Sequence, residues 1–371
     1  MYLVCAILFC SITFVYLYCY QADTLAVTQH ILSEGKTHYN SLVGAALITI
    51  VLFFLHIGIA YAIKVKPFSY SLTYFPSILL LTVVTDICSN IGEGSSSALW
   101  MWLLPLLLIL YIGFLLLRRL VPPLSVEDNG NIFFSKTMCI NVLSLTVMFF
   151  ISGLVSDNDD IFHYRAHIER CLENNKFDEA LNTAKQSEAN DSSLTMLRIF
   201  ALAKTNSLGE RLFEYPITGG SQSLLPNGKG AKLLMYPENN IYAVLGEKPQ
   251  KGISSMEYLH HILEHKHAER AAADYLLCGY LLDKKLDEFA KNIGKYYDLK
   301  GELPKHYREA LTLYVHLRSN PNIMYHNTVM DTDYQDYQNM TNKYPNKTIR
   351  KNSLRDTYGN TYWYYYQYVN S

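Results

Sequence analysis

Five stretches of about twenty mainly apolar residues crowd into the first 155 positions, and no other feature restricts the fold so strongly. A helix needs about 20 such residues to cross a hydrocarbon core about 30 Å thick. The windows are residues 2–20, 42–63, 72–91, 99–117 and 137–155. The third is the least apolar, because it carries Asp86 and starts beside Pro76. The first has no basic flank and exceeds the apolar core of a cleaved leader, so a retained span is expected. Pro76 and Pro105 predict kinks, which neighbouring helices can satisfy.

Charge follows the same division. Residues 1–155 hold six Lys/Arg and six Asp/Glu, whereas the remaining 216 residues hold 26 and 27. A segment of that size can bury its own core, so residues 156–371 are expected to form a water-soluble domain after a transmembrane domain at 1–155. Its near-neutral balance excludes the basic footprint of a nucleic-acid binder. Cys5, Cys10, Cys19, Cys88 and Cys139 lie in or beside apolar runs, leaving Cys171 and Cys278 for the soluble part. That is no disulfide framework.

Lys and Arg in short loops set orientation. Lys64 and Lys66 follow the second window, and Arg118, Arg119 and Lys136 lie between the fourth and fifth. Both basic loops share the cytoplasmic side only if the N-terminus is inside. Five spans then put the C-terminal domain outside the cytoplasm. His56 and Asp86 are the ionisable residues within spans, and such residues are functional candidates by default. Counted along their helices they lie at different depths, so no direct pairing is expected.

Beyond residue 155 the apolar pattern is helical: Tyr164, Ile168, Cys171 and Leu172, then Phe177, Ala180, Leu181 and Ala184, then a run from Leu194 to Leu202. Further helices are predicted near 253–265, 268–282, 286–297 and 304–318. The segment Pro216–Asn239, with Gly219, Gly220, Pro226, Gly228 and Gly230, reads as an exposed loop. The helix pairs resemble tetratricopeptide-type units, with Tyr164, Cys171, Ala180 and Ala184 on signature positions and Leu276, Tyr280, Phe289 and Ile293 repeating them. Both units open their second helix alike, Phe177-Asp-Glu-Ala180 and Leu286-Asp-Glu-Phe289. The signature Gly is Ile168 or Leu277 and the closing Pro is missing, so the repeat is degenerate. An irregular helical domain is the alternative.

Three stretches, Ser33-Glu-Gly-Lys-Thr-His-Tyr-Asn40, Leu303-Pro-Lys-His-Tyr-Arg-Glu-Ala-Leu-Thr-Leu-Tyr314 and Gly359-Asn-Thr-Tyr-Trp-Tyr-Tyr-Tyr366, carry a resemblance. On them the chain resembles an uncharacterised domain-of-unknown-function family of polytopic membrane proteins from Gram-negative bacteria. The resemblance implies an inner-membrane location, a periplasmic C-terminal domain and no assigned activity.

Chemistry-bearing motifs are few. His261-Ile-Leu-Glu-His265 matches H-x-x-E-H, which on a helix sets His261 and His265 on one face as zinc ligands with Glu264 as base. A third ligand is needed, for which Glu288 is a candidate. The competing reading is a run of solvated helix histidines. His30-Ile-Leu-Ser-Glu-Gly-Lys-Thr37 imitates a phosphate loop but lacks its first Gly. The tail Tyr358–Tyr368 is either a capping helix, a contact with the membrane interface, or a ligand platform using Trp363, Tyr364 and Tyr366.

The sequence therefore predicts an all-α chain: a five-helix transmembrane bundle followed by a soluble, degenerate, tetratricopeptide-like repeat domain. Its expected role is a membrane-anchored scaffold for a protein or peptide partner, with the bilayer as its other partner and no nucleic acid. No cofactor is expected. The alternative is a membrane-associated enzyme, either a zinc hydrolase at His261, Glu264 and His265 or a transferase using His30, Glu34 and His38 of the first loop.

Overall fold

A computed structural model describes all residues except 64–66, 87–96, 121–134, 156–158, 228–229, 250–251, 265–267 and 370–371. Lys64, Lys66 and His265 therefore lie outside the described residues. Among those described, every regular element is helical. The chain divides into two compact units, Met1–Ala166 and His167–Ser371.

The first unit contains five helices long and apolar enough to cross a membrane: Tyr2–Tyr20, Ser41–Ile63, Pro67–Thr85, Trp100–Leu117 and Lys136–Leu154. Four agree with the apolar windows. The third is displaced: residues 72–91 were expected, and the helix runs from Pro67 to Thr85 with Asp86 at its C-cap. The reason is its place in the bundle. It is 56% buried within the unit, against 11–22% for the other four, so its polar residues face protein rather than lipid.

Its first eight residues, Pro67–Tyr74, form a 3₁₀ segment. Non-α backbone is tolerated at membrane depth only where protein satisfies it. Asn141 of the fifth helix, fully buried, accepts the Ser71 N–H at 2.7 Å and donates to the Pro67 carbonyl at 2.9 Å. Tyr111 of the fourth donates to the Leu72 carbonyl at 2.9 Å, and Ser77 donates to Leu52 of the second at 2.9 Å. Hydropathy scores Ser, Thr and Tyr as unfavourable because it cannot see these partners. Pro76 falls in the first turn of the α-helical part, Phe75–Thr85, where a missing N–H costs nothing. Pro105 lies inside helix Ser97–Leu120. The first loop carries a helix of its own, Ala22–Leu32.

The second unit is built on helical hairpins that share one turn. Helix Asp160–Glu173, which belongs to this unit from His167 on, is followed by Phe177–Asn182, Ser192–Lys204 by Leu208–Arg211, and Arg270–Leu282 by Leu286–Ile293. Each first helix ends with a residue of positive φ: Asn175 (56°), Asn206 (51°) and Lys284 (59°). The N–H of that residue bonds three residues back, to Leu172, Ala203 or Leu281, and the next N–H bonds five back, to Cys171, Leu202 or Tyr280. This paired pattern is a Schellman cap, which satisfies orphan carbonyls and reverses the chain. Two residues later each second helix starts on an apolar anchor, Phe177, Leu208 or Leu286. The sequence revealed the first and third hairpins; the middle one is an addition.

Close approach sets two glycines of the hairpins against neighbouring helices, Ser255–Glu264 and Lys305–Leu317. A Cβ added at Gly279 would meet Met256 Sδ at 2.4 Å, and one at Gly209 would meet Tyr307 at 2.7 Å. Helices Lys305–Leu317, Thr328–Lys343, Lys347–Tyr358 and Tyr362–Tyr368 complete the unit. Leu194, Phe200, Leu276, Phe289, Leu311 and Tyr362 are fully buried and give this unit an apolar core. Residues 156–371 produced alone are therefore expected to be soluble and to give a helical circular dichroism spectrum with a cooperative melt. A strand-dominated spectrum, or a featureless melt, would contradict an independent core.

The segment 216–239 corrects an expectation. It is not an exposed loop but a strap whose Gly220, Ser221, Ser223, Leu224, Leu225, Ala231 and Tyr236 are buried. Buried irregular backbone must find hydrogen-bond partners, and helix side chains supply them. Asp283 accepts the Ser221 N–H at 2.9 Å and its hydroxyl at 2.8 Å. Ser193 accepts the Lys232 N–H at 3.1 Å, and Glu169 accepts those of Leu234, Met235 and Tyr236 at 2.7–3.0 Å.

Candidate functional site

His56 and Asp86, the two ionisable residues expected within spans, have separate partners. His56 is buried, with Nε2 3.0 Å from the Tyr70 hydroxyl and Nδ1 3.1 Å from Thr73 Oγ1. Its ring stacks on Tyr74 at 3.5 Å and 7°. Thr73 Oγ1 spends its own proton on the Tyr70 carbonyl at 2.6 Å, so it accepts from His56 Nδ1–H. Nε2 is left to accept from Tyr70. Both nitrogens of a neutral imidazole are thereby used, and the ring is held in place between Tyr70, Thr73 and Tyr74. Asp86, at the helix end, accepts the indole N–H of Trp100.

Of the H-x-x-E-H motif, His261 to Glu264 form the end of helix Ser255–Glu264, and His265 lies outside the described residues. Tyr258, Leu259 and Ile262 form the buried face of the helix, while His261 and Glu264 are exposed. Neighbouring His260 bonds the Tyr280 hydroxyl at 2.6 Å, and Glu288 is exposed on helix Leu286–Ile293. In the first loop, Glu34 (φ 52°) and Gly35 (φ 75°) terminate helix Ala22–Leu32 in the same Schellman cap. Glu34 pairs at the surface with Lys36 at 3.0 Å, and the His30 ring lies against Gly35. A helix cap, with no strand before it, stands where a phosphate loop would need a Gly-rich turn. Cys278 is buried. Burial, assisted by the nearby Asp274 carboxylate, pushes its thiol well above the ordinary range, and a hydrogen bond with Tyr307 offsets only part of that. A thiol so held stays protonated.

The aromatic tail is packed into the second unit. Trp363 is 3% exposed, Tyr364 is buried and Tyr366 half-buried. The tail is docked on a buried pair that the sequence did not disclose. His306 Nε2 accepts the Phe213 N–H at 3.2 Å, so Nδ1–H donates to Glu309 Oε2 at 2.9 Å. The same oxygen accepts the Tyr362 N–H at 2.7 Å, and the Glu309 carbonyl accepts the Trp363 indole N–H at 2.8 Å. The His306-to-Glu309 spacing of three puts both on one helix face, which is the only trace a sequence carries of such a pair.

One further group offers metal-ligand chemistry. His167 and Cys171, one turn apart on helix Asp160–Glu173, face Glu179 of the returning helix Phe177–Asn182. His167 Nε2 is 3.6 Å from Cys171 Sγ and 4.0 Å from a Glu179 oxygen. The other Glu179 oxygen holds Lys176 Nζ at 2.9 Å. Among the described residues this is the one cluster of three such donors. The spacing H-x-x-x-C followed by a turn and an acid was its signal in the sequence.

No curated protein and no solved structure matches the chain. The profile of a family described as of unknown function, DUF6057, matches residues 93–250 and 250–369. These matches take in the fourth and fifth apolar helices, all three hairpins, the strap and the aromatic tail, and on that coverage the chain belongs to the DUF6057 family of unknown function.

Proposed function

We propose that the chain is a membrane-anchored scaffold whose C-terminal helical unit, a degenerate tetratricopeptide-like array, holds a protein or peptide partner outside the cytoplasm. The observation that carries this reading is the turn repeated at Asn175, Asn206 and Lys284. Hairpins closed by one turn geometry stack in a regular way, and stacked hairpins offer extended surfaces for a partner. The alternative, a zinc hydrolase at His261, Glu264 and His265, has His261 and Glu264 exposed at the end of their helix.

Orientation rests on the basic loops and an odd number of spans. In a Gram-negative cell it corresponds to an inner-membrane protein with a cytoplasmic N-terminus and a periplasmic C-terminal unit. A reporter active only outside the cytoplasm is expected to work when fused after Ser371. It should be silent after Lys66 or Arg119. An inactive C-terminal fusion in a well-expressed protein would reverse the orientation.

Partner binding is tested by placing a photo-cross-linking residue at exposed positions of the returning helices, Asp178 and Glu288 among them, in the full chain in native membranes. Adducts of one discrete size at several positions are expected. A complete lack of adducts across both helices would remove the scaffold reading.

A further inference from the structure

We propose that His167, Cys171 and Glu179 form a site for a zinc-class divalent cation that clips the first helical hairpin of the C-terminal unit. One imidazole nitrogen, one thiol sulfur and one carboxylate oxygen converge within 4.8 Å of one another. In a tetrahedral site, Zn–S of about 2.3 Å and Zn–N of about 2.0–2.1 Å set nitrogen and sulfur about 3.6 Å apart. His167 Nε2 and Cys171 Sγ already stand at 3.6 Å. The carboxylate oxygen, at 4.0 Å from the same nitrogen, needs to close by about half an ångström to reach the corresponding spacing. A side chain that is 48% exposed can do this by rotation.

The donor set selects the metal. Thiolate and imidazole together favour zinc over the hard cations magnesium and calcium, which take oxygen ligands. Local structure explains why the three meet. Residues four apart on a helix share a face, and the cap at Asn175 turns the chain so that Glu179 comes back over that face. Lys176 holds one carboxylate oxygen at 2.9 Å and leaves the other directed at His167, the role an outer-shell partner plays around a metal ligand. Cys171 lies buried at the back while the His167 side chain is 39% exposed, so an ion can enter from solvent. On binding, the Cys171 S–H proton passes to solvent and its sulfur bonds the ion. Three protein ligands leave a fourth position for water. The site is independent of the scaffold reading and shares no residue with the H-x-x-E-H motif.

The test uses the full chain in detergent, purified on a histidine-free tag, with zinc counted after chelator-buffered loading and cobalt used as a spectroscopic substitute. A single zinc ion per chain is expected, with cobalt giving a thiolate-to-metal absorption band. Cys171→Ser should abolish that band and weaken zinc binding at least about 100-fold, beyond the ~10–100-fold typical of an outer-shell partner. Glu179→Gln alters an exposed side chain and should weaken binding with the circular dichroism spectrum unchanged, which keeps the test open if the cysteine variant misfolds. Lys176→Met should cost about tenfold, and His261→Ala should change nothing. Absence of bound zinc, uptake indifferent to both Cys171→Ser and Glu179→Gln, or uptake lost with His261→Ala instead would each overturn the site and leave an ordinary His–Glu ion pair beside a buried thiol.

Discussion

Replacing Trp363 by Ala is expected to destabilise the C-terminal unit by about 3–5 kcal/mol, the range for deleting a buried large aromatic. The ring is 3% exposed and packs against Tyr334 and Tyr337 at centroid distances of 5.1 and 5.8 Å. Its indole N–H donates to the Glu309 carbonyl at 2.8 Å, so the substitution also removes a buried hydrogen bond worth roughly 1 kcal/mol. Trp363→Phe keeps most of the apolar volume and should cost clearly less than Ala. Removing Tyr362 to Ser371 should go further, since it strips the cover from Glu309 and deletes Tyr362 and Tyr365, both of which pack on Phe213. Against a total of about 5–15 kcal/mol for a domain, that truncation should leave little folded protein. Thermal and denaturant melts of residues 156–371 measure all three. If Trp363→Ala melted within a degree of the parent while liposome or partner binding fell, the tail would be a binding surface and not a packed cap.

Those residues show what a single sequence discloses. Six rings between Tyr362 and Tyr368 cannot all face one way on a helix, so the sequence announces that the tail must cover something. It does not announce Glu309, because the partner lies 53 residues away and each of its two bonds to the tail pairs a side-chain atom with a backbone atom, which leaves no pair of side chains to match. The apolar spans were legible for the opposite reason, since lipid-facing composition is local. The third span was misplaced where that locality fails: the hydroxyls of Ser77 and Thr82 are satisfied by Leu52 and Ser152, and the Ser71 N–H by Asn141, all on other helices. Two hairpins could be read from the likeness of Phe177-Asp-Glu and Leu286-Asp-Glu. The middle one escaped because its second helix opens Leu208-Gly-Glu, and because positive φ falls on Lys284 as well as on Asn175 and Asn206. Asn is enriched in that conformation and Lys is not, so the turn leaves no uniform residue to search for. The cluster of His167, Cys171 and Glu179 was legible in principle, but its three donors span a reversal of the chain whose geometry the sequence does not state.

The strap predicts the second large effect. Glu169 is fully buried, and its carboxylate accepts the consecutive N–H groups of Leu234, Met235 and Tyr236. Three backbone donors aimed at one carboxylate form an anion nest turned inward, with the protein's own side chain in place of a ligand. Hydrogen bonds to a charged group contribute roughly 1.5–3 kcal/mol each, and a buried donor left without a partner costs ~1–3 kcal/mol. Some of the lost partners can be replaced by water once the strap loosens, so Glu169→Ala is expected to cost on the order of 3–5 kcal/mol, like the breaking of other buried charged pairs. Glu169→Gln separates charge from shape. Its amide oxygen can occupy the Oε2 position, which serves all three N–H groups at 2.7–3.0 Å. The amide nitrogen then meets the Leu234 N–H at the place of Oε1, so two donors face each other. A loss of about 1–3 kcal/mol is expected for Gln, smaller than for Ala. The defect should also be local: in Glu169→Ala, limited proteolysis and amide exchange should accelerate within residues 216–239 before they do in helices Ser192–Lys204 and Arg270–Leu282. Equal melts for the parent and both variants, or exchange that accelerates uniformly across the unit, would show that the strap is held by its apolar residues Leu224, Leu225 and Tyr236 and that the carboxylate is dispensable.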